Sequence, residues 1–132
     1  MSSEVAKKKI LVVDDEIEIC KIVKEGLERL GGFDVSMATS GEDGITKALE
    51  IRPDLVILDL LMPDMHGLEV SRRIKKYHDI AATPIIMLSG VKDEAAIEES
   101  KKLRNELYLT KPIMLTELKE KIDEVLRGRG VV

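Results

Sequence analysis

Five short apolar runs recur along the chain and predict the strands of a buried sheet. They are residues 9–13, 33–38, 55–58, 84–88 and 107–110. Most of them show no alternation of apolar and polar positions, which is typical of parallel strands covered by helices on both faces. The run at 33–38 alternates in part, as expected of an outer strand. The pattern therefore predicts a parallel sheet of five strands.

Segments with apolar residues at helical spacing follow the strands and predict five helices. They cover approximately residues 19–30, 40–51, 68–77, 91–103 and 115–126. The fourth segment is highly charged and has few apolar positions, so we expect a lightly anchored helix there. Five strands that alternate with five helices predict an α/β fold, a flavodoxin-like doubly wound parallel sheet with strand order 2-1-3-4-5.

The length of 132 residues is that of one domain. We expect a single domain over residues 1–132, with a core at about 8–127 and no output domain in this chain. Hydrophobic residues make up 44% and charged residues 35%, as in soluble globular proteins. No apolar stretch approaches the roughly 20 residues of a membrane span, and the first apolar run is too short for a signal peptide. These features predict a cytoplasmic protein with no membrane partner.

Charge and cysteine content narrow the range of partners. The formal net charge is −4, with lysines interspersed among glutamates. Because this pattern indicates no basic surface, we expect no nucleic acid to be bound by this chain. The single cysteine, Cys20, excludes an internal disulfide and a cysteine-based zinc site.

Polar residues suited to one reaction follow four of the predicted strands. Asp14 and Asp15 follow the first strand, Asp59 the third, Ser89 the fourth and Lys111 the fifth. Open parallel sheets bind ligands beyond the carboxyl ends of their strands, and the first and third strands are neighbours in the predicted order. The three carboxylates should therefore share one crevice. Like charges so close raise one another's pKa values unless a cation binds, and Mg²⁺ prefers such oxygen ligands.

The same arrangement suits nucleophilic attack on phosphorus. Asp59 would form an acyl phosphate, the metal ion and Lys111 would neutralise charge on the phosphoryl oxygens, and Ser89 could donate its hydroxyl. Taken singly, each residue has a structural alternative. The Asp14 and Asp15 pair could cap the first helix, and the other three could belong to ordinary turns. Their joint occurrence at strand ends favours a functional site.

Four motifs carry a resemblance to a known family. They are Ile-Leu-Val-Val-Asp14-Asp15-Glu16, Leu-Val-Ile-Leu-Asp59-Leu-Leu-Met-Pro-Asp-Met-His-Gly67, Pro-Ile-Ile-Met-Leu-Ser89-Gly90 and Tyr108-Leu-Thr-Lys111-Pro112. Over nearly the whole chain they resemble the receiver domain of two-component response regulators, of the chemotaxis-regulator kind. The resemblance implies a phosphoacceptor switch rather than an ordinary enzyme. Its phosphodonor would be a phosphohistidine on a histidine kinase or a phosphotransfer protein.

The resemblance also implies roles for the acidic residues. Asp59 is the phosphoacceptor. Asp15 and Asp59 bind Mg²⁺ directly, Asp14 binds it largely through water, and the backbone carbonyl of Leu61 is a further metal ligand. The resemblance thus implies Mg²⁺ as the cofactor of this site.

A second set of implied roles concerns signalling. Ser89 and Tyr108 match the family's switch pair, in which the hydroxyl moves toward the phosphoryl group and the aromatic ring turns inward. Lys111 and Pro112 match the family's lysine and its usual cis-proline. The implied output surface is formed by the fourth helix, fifth strand and fifth helix, and it would bind an unknown downstream protein. A phosphorylation-dependent homodimer is left open.

The chain departs from the usual family pattern in two places. Arg104 and Asn105 stand where the family often has Gly-Ala, and Asn is the residue expected to tolerate a left-handed backbone there. Leu61 and Val91 occupy positions that in this family influence how water reaches the acyl phosphate. Because neither apolar side chain can orient an attacking water, our hypothesis is slow autodephosphorylation.

Two other functions stay open from the sequence. A phosphorylation-independent receiver-fold binding module would be expected to lose an acid, the lysine or the switch hydroxyl, and this chain has all of them. An aspartyl-phosphate phosphohydrolase of the haloacid dehalogenase-like kind carries Asp-x-Asp after its first strand, whereas here residue 16 is Glu.

Overall fold

The computed structural model describes residues 6–128 and contains five strands that alternate with five helices along the chain. The strands are β1 (Lys8–Val13), β2 (Phe33–Ala38), β3 (Leu55–Leu58), β4 (Ile85–Ser89) and β5 (Leu107–Thr110). The helices are α1 (Ile17–Leu30), α2 (Gly41–Ile51), α3 (Gly67–Lys76), α4 (Glu94–Lys102) and α5 (Leu115–Gly128). Among residues 6–128, no helix has the length and apolar content needed to cross a membrane.

The five strands form one parallel sheet in the order β2-β1-β3-β4-β5. The predicted flavodoxin-like topology is therefore confirmed. The central strand β3 is buried at every position, as its unbroken apolar run indicates. Its neighbours β1 and β4 bring their carboxyl ends to the same edge of the sheet.

The core consists of two apolar layers, one on each face of the sheet. Leu11, Val56 and Ile85 point toward α2 and α3. Ile10, Ile57 and Ile86 alternate with them and pack with buried residues of α1 and α5. Because side chains of a strand alternate between faces, adjacent residues of each central strand serve different layers. Helices on both faces thus explain the absence of an apolar–polar alternation.

Helix α4 is the least buried of the helices that flank the sheet. Only Ala96 and Ser100 are buried within it, whereas α3 buries five residues on its inner face. Ala96 has a small side chain and Ser100 is polar, so α4 contributes little apolar surface to the core. This agrees with the light anchoring that the charged sequence indicates.

The turn after α4 differs from the sequence-based expectation. Arg104, not Asn105, has the left-handed backbone, with φ 63°. The Arg104 N–H donates to the Lys101 carbonyl and the Asn105 N–H donates to the Ser100 carbonyl. This pair of bonds is a Schellman ending, in which glycine usually takes the left-handed position. Asn105 instead uses its side chain, which bonds the hydroxyls of Ser71 and Ser100.

Strand β2 forms one edge of the sheet, and side chains from neighbouring helices bond its backbone. Glu28 of α1 accepts a hydrogen bond from the Val35 N–H at 3.1 Å, and Lys24 donates to the Val35 carbonyl at 2.8 Å. Lys24 and Glu28 also pair with each other at 2.9 Å. From α2, Lys47 donates to the Met37 carbonyl. Helix side chains therefore take the hydrogen bonds that another strand would make there.

Candidate functional site

The ladder between β1 and β3 places two carboxylates side by side. Val13 lies opposite Leu58 in this parallel pair, so the residues that follow them, Asp14 and Asp59, leave the sheet together. The Asp59 N–H donates to the Val13 carbonyl at 2.9 Å and extends the ladder by one residue. Asp14 and Asp59 are both buried. The predicted neighbourhood of these two residues is thus present in the structure.

Strands β4 and β5 bring the hydroxyl and the amine to the same edge. Ser89 is the last residue of β4, is buried, and lies opposite Thr110 of β5. The Lys111 N–H donates to the Ser89 carbonyl at 2.7 Å, which fixes the start of the β5–α5 loop. The Lys111–Pro112 peptide bond is cis.

Lys111 joins the carboxylates through its side chain. Its Nζ lies 2.7 Å from Asp14 Oδ2 and 3.5 Å from Asp59 Oδ1. One oxygen each from Asp14, Asp15 and Asp59 lies within 4.8 Å of the others. Three carboxylate oxygens this close form a donor set that fits a hard divalent cation such as Mg²⁺. The exposed Asp15 provides the side of the cluster that faces solvent.

The electrostatics of the cluster follow from burial and like charge. Burial raises the pKa of Asp59 to about 6, the Asp14 carboxylate acts in the same direction, and Lys111 opposes both. Burial acts to lower the pKa of Lys111, but its hydrogen bond to Asp14 and the charges of both carboxylates outweigh burial. The pKa of Lys111 therefore lies above its ordinary value, and this side chain is a cation at neutral pH.

A cavity of about 250 Å³ opens over the phosphoacceptor candidate. Its lining comprises Asp15, Glu16, Asp59, Leu61, Ser89, Gly90, Val91 and Lys111. Sequence reasoning assigned no role to Glu16, which stands at the rim as the residue before α1. The Leu61 and Val91 side chains are both exposed at this mouth and offer no polar atom to a ligand. The cavity is open enough to admit a phosphoryl group.

The loop that follows Asp59 is closed by a tight backbone contact. The Gly67 N–H donates to the Leu60 carbonyl at 2.6 Å, and a Cβ at Gly67 would collide with the Asp59 backbone oxygen. Only glycine allows this approach. The Asp64 side chain holds the same loop from outside, because it accepts hydrogen bonds from the Gly41 and Glu42 N–H groups at the start of α2.

Sequence reasoning missed the positioning role of Asp64. Its hydrogen bond from the Gly41 N–H is the main cause that holds the pKa of this carboxyl below its ordinary value. An aspartate placed 23 residues from the helix that it caps has no local signal. The Asp64 carboxylate lies at the amino terminus of α2, where the helix dipole is positive. A negatively charged side chain is therefore suited to this position.

Ser89 and Tyr108 contact the same short segment of backbone. Ser89 Oγ accepts a hydrogen bond from the Val91 N–H at 3.2 Å, and the Tyr108 hydroxyl donates to the Val91 carbonyl at 2.7 Å. The Tyr108 ring is partly buried against the core layer that contains Met87. Both side chains of the expected switch pair thus hold the segment that leads into α4.

Cys20 packs beneath the sheet edge that carries Asp14 and bonds the Asp14 backbone. The residue is fully buried, and its Sγ donates to the Asp14 backbone carbonyl at 3.3 Å. Burial raises the pKa of the Cys20 thiol to about 11, so the thiol is neutral at physiological pH. The structure gives Cys20 a packing role beside Asp14.

Comparison with known families shows which family the chain belongs to. A family model described as "Response regulator receiver domain" matches residues 10–123. The chain belongs to this family. The resemblance inferred from the four motifs is therefore confirmed, and so is the fold that it implies.

Curated response regulators match the receiver chain over about half of their own length. The "Probable transcriptional regulator ycf27" of Cyanophora paradoxa is 40% identical over 124 residues, which are 94% of this chain and 50% of that protein. The "Alkaline phosphatase synthesis transcriptional regulatory protein PhoP" of Bacillus subtilis (strain 168) is 36% identical over 120 residues, 91% of this chain and 49% of that protein.

Solved receiver structures match the whole fold. The Vibrio cholerae chemotaxis protein CheY4 superposes with a TM-score of 0.87 at 31% identity, covering 92% of this chain and 100% of that one. A CheY-like response regulator receiver domain protein from Methanospirillum hungatei JF-1 gives a TM-score of 0.89 at 29% identity, covering 95% of this chain and 98% of that one.

Proposed function

We propose that this receiver is a phosphoacceptor switch of a two-component phosphorelay in the cytoplasm. Asp59 accepts a phosphoryl group from a phosphohistidine on a histidine kinase or phosphotransfer protein. The observation that carries the proposal is the position of Lys111, whose Nζ bonds Asp14 and lies 3.5 Å from Asp59 at the floor of an open cavity. A cation beside a buried carboxylate nucleophile is suited to a substrate that carries several negative charges.

The transfer forms one bond and breaks one. An Asp59 carboxylate oxygen attacks phosphorus, an O–P bond forms, the N–P bond of the phosphohistidine breaks, and the imidazole leaves with the electron pair. Lys111 neutralises charge on the phosphoryl oxygens, and Ser89 can turn its hydroxyl from the Val91 N–H to donate to one of them. No general base is required, because Asp59 attacks in its ionised form.

The proposed Mg²⁺ site is formed by three carboxylates and one backbone carbonyl. Asp15, Asp59 and the backbone carbonyl of Leu61 would hold the ion directly, and Asp14 would hold it through water. When bound, Mg²⁺ supplies positive charge that neutralises the phosphoryl oxygens during transfer. The cluster of carboxylate oxygens supports this assignment.

The surface made by α4, β5 and α5 is the proposed output surface. Ser89 and Tyr108 both hold Val91, three residues before the first residue of α4. When Ser89 turns toward a phosphoryl group it releases the Val91 N–H, which frees the segment that leads into α4. The proposed downstream target is a protein that prefers one of the two resulting arrangements. A phosphorylation-dependent homodimer would use the same principle.

A protein donor, rather than a small molecule, is supported by apolar surface next to Lys111. A cavity of about 190 Å³ on the side of Lys111 that faces α1 is lined by Ile19, Ile22, Val23, Leu88, Pro112, Ile113, Leu115 and Leu118. Ile22 is 57% exposed and Met114, in the loop before α5, is 71% exposed. Exposed apolar residues beside a reactive group are typical of a protein contact.

The mouth of the cavity favours a long-lived acyl phosphate over rapid hydrolysis. Leu61 and Val91 line the cavity and have no polar side-chain atom that could orient water. We therefore propose slow autodephosphorylation, which argues against a phosphohydrolase function.

The proposal is tested by phosphorylation with a small phosphodonor. Purified protein is incubated with acetyl phosphate, with Mg²⁺ or with EDTA, and intact mass is measured for wild type, Asp59→Asn and Asp79→Asn. Asp79 is an exposed aspartate paired with Arg52 away from the site, so its variant is a matched control. We expect one added phosphoryl group in wild type and Asp79→Asn, in the presence of Mg²⁺ only.

Two results would contradict the proposal. Equal phosphorylation of Asp59→Asn would place the acceptor elsewhere. No phosphorylation of wild type, together with no binding of beryllofluoride by a folded protein, would instead support a phosphorylation-independent binding module.

A further inference from the structure

The two ends of α4 are attached to the rest of the protein in different ways. At the carboxyl-terminal end, the Asn105 side chain reaches two buried hydroxyls. Ser71 Oγ of α3 donates to Asn105 Oδ1 at 2.8 Å, and Asn105 Nδ2 donates to Ser100 Oγ of α4 at 3.0 Å. We call these three side chains the Asn105 clamp.

The two hydroxyls of the Asn105 clamp are buried, whereas Asn105 itself is partly exposed. Ser71 is 0% exposed and Ser100 is 2% exposed, so loss of the Asn105 side chain would take a hydrogen-bond partner from two buried hydroxyls. Hydrogen bonds between buried polar groups are stronger than those between exposed groups, and leaving a buried group unpaired costs free energy. The backbone adds a third bond, because the Asn105 N–H donates to the Ser100 carbonyl.

Among residues 6–128, no side-chain hydrogen bond ties the amino-terminal turn of α4 to a neighbouring helix, although Ala96 packs in the core. Asp93 caps the helix with its own side chain, which accepts from the Ala95 and Ala96 N–H groups and is itself exposed. Ser89 and Tyr108 hold the segment before it by hydrogen bonds to the Val91 backbone. These are the bonds that a phosphoryl group at Asp59 would change.

Helix α4 packs loosely against β5. A cavity of about 180 Å³ lies beside the carboxyl-terminal half of α4 and is lined by Ile97, Ser100, Lys101, Asn105, Glu106, Leu107 and Tyr108. Because Ala96 and Ser100 are the only residues that α4 buries, a tilt about its carboxyl-terminal end would break few packed apolar contacts.

We propose that α4 pivots about its carboxyl-terminal end, where the Asn105 clamp fixes it to α3. Asn105 is a positioning residue: it touches neither the phosphoacceptor nor the cation. When the Val91 segment moves, the Asn105 side chain keeps the carboxyl-terminal end of α4 in place. The helix then tilts and does not detach as a whole. The link to signalling rests on the proposed phosphoacceptor function, whereas the pivot itself is a property of the unphosphorylated protein.

The pivot is tested first without any phosphodonor, by amide hydrogen exchange resolved along α4. The reporters at the fixed end are the amides of Leu103, Arg104 and Asn105, and those at the free end are the amides of Ala95 and Ala96. In wild type we expect slower exchange at the fixed end. In Asn105→Ala we expect exchange there to rise about tenfold or more, with β1 and β3 amides unchanged.

Two further variants separate the clamp from general stability. Ser71→Ala removes only the arm to α3 and should raise exchange at the same amides by a smaller factor, and it serves as the test if Asn105→Ala does not fold. Arg72→Ala removes the half-exposed ion pair to Glu99, which also joins α3 to α4, and should change exchange less than twofold.

The second measurement adds Mg²⁺ and beryllofluoride as a phosphoryl substitute. In wild type, exchange should change at Ala95 and Ala96 and stay constant at residues 103–105. In Asn105→Ala, the change should extend to residues 103–105. A wild type that changes equally along α4 would overturn the pivot and leave the phosphoacceptor function standing.

The remaining outcomes are also decisive. If Asn105→Ala or Ser71→Ala leaves exchange at residues 103–105 unchanged, or speeds it equally in β1, β3 and α4, the pivot is overturned. If wild type does not respond to beryllofluoride at all, the proposed function fails. The exchange measurements on the variants without beryllofluoride then decide whether the pivot is correct.

Discussion

Replacement of Asp59 by Asn should make the metal-free protein more stable at neutral pH. Asp59 is 8% exposed and lies beside Asp14, whose carboxylate raises the cost of ionising it. The variant removes this charge and keeps a side chain of the same shape. It also leaves Lys111 paired with Asp14 at 2.7 Å, so no cation loses its only partner.

The magnitude follows from the pKa of Asp59, which burial and then Asp14 raise from 3.8 to about 6. A pKa unit corresponds to about 1.4 kcal/mol, so roughly two units give a penalty of up to about 3 kcal/mol once Asp59 is ionised. The folded-state pKa lies above the unfolded-state value. The penalty is therefore absent below pH ~4, develops between pH ~4 and ~6, and is complete above. The free energy of unfolding of Asp59→Asn should thus exceed that of wild type by about 1–3 kcal/mol at neutral pH.

Urea denaturation followed by circular dichroism is the suitable assay, because the chain has no Trp. Wild type and Asp59→Asn are compared in EDTA across this pH range, so that titrations common to both proteins cancel. Mg²⁺ should then stabilise wild type more than the variant, since the variant lacks a metal ligand. A variant that is no more stable than wild type at neutral pH in EDTA would refute the reasoning about Asp59.

Three further predictions concern the turn after α4, the mouth of the site cavity and the exposed face of α1. Arg104→Gly should raise the free energy of unfolding by about 1 kcal/mol, measured by urea denaturation, because glycine removes the strain of the left-handed backbone. Leu61→Asn should shorten the lifetime of the acyl phosphate roughly tenfold, less than the ~10² of a full acid–base catalyst, as followed by loss of the phosphoryl mass. Ile22→Glu should slow phosphotransfer from a phosphohistidine protein at least about tenfold and leave the rate with acetyl phosphate unchanged.

Each of these predictions has a control or a contradicting result. Lower stability of Arg104→Gly would mean that the arginine side chain contributes more than its backbone strain costs. An unchanged lifetime in Leu61→Asn would remove the argument for slow autodephosphorylation. Leu30→Glu changes another exposed apolar residue, at the far end of α1, and should leave the rate of phosphotransfer from either donor unchanged. Equal slowing by Leu30→Glu and Ile22→Glu would argue against a local donor surface.

The strands and the core of the site could be predicted because their signals are local. The apolar run of β3 shows that both of its faces are buried, and a carboxylate directly after it must lie at the carboxyl edge of the sheet. The same reasoning placed Lys111 after β5. Only strand order was needed to bring these residues together, and few orders are compatible with right-handed crossovers.

The residues that were missed act through contacts distant in sequence. Asp64 bonds amides 23 residues away, and Asn105 bonds a hydroxyl 34 residues away. Neither residue disturbs the apolar period of its segment, so periodicity contains no information about them. The left-handed residue after α4 was predicted wrongly for a related reason: the Schellman bonds depend on where the helix ends, and Asn105 is needed for its side chain.

The side chains bonded to β2 limit how this protein could polymerise. Growth of a continuous sheet from molecule to molecule requires that each molecule accept a strand on one edge and offer a strand on the other. At β2, Lys24, Glu28 and Lys47 already take hydrogen bonds at Val35 and Met37. Only the β5 edge is then open to strand addition. Two molecules could join through their β5 edges, but no third could add to the sheet, so a fibre cannot grow from the native fold by this route.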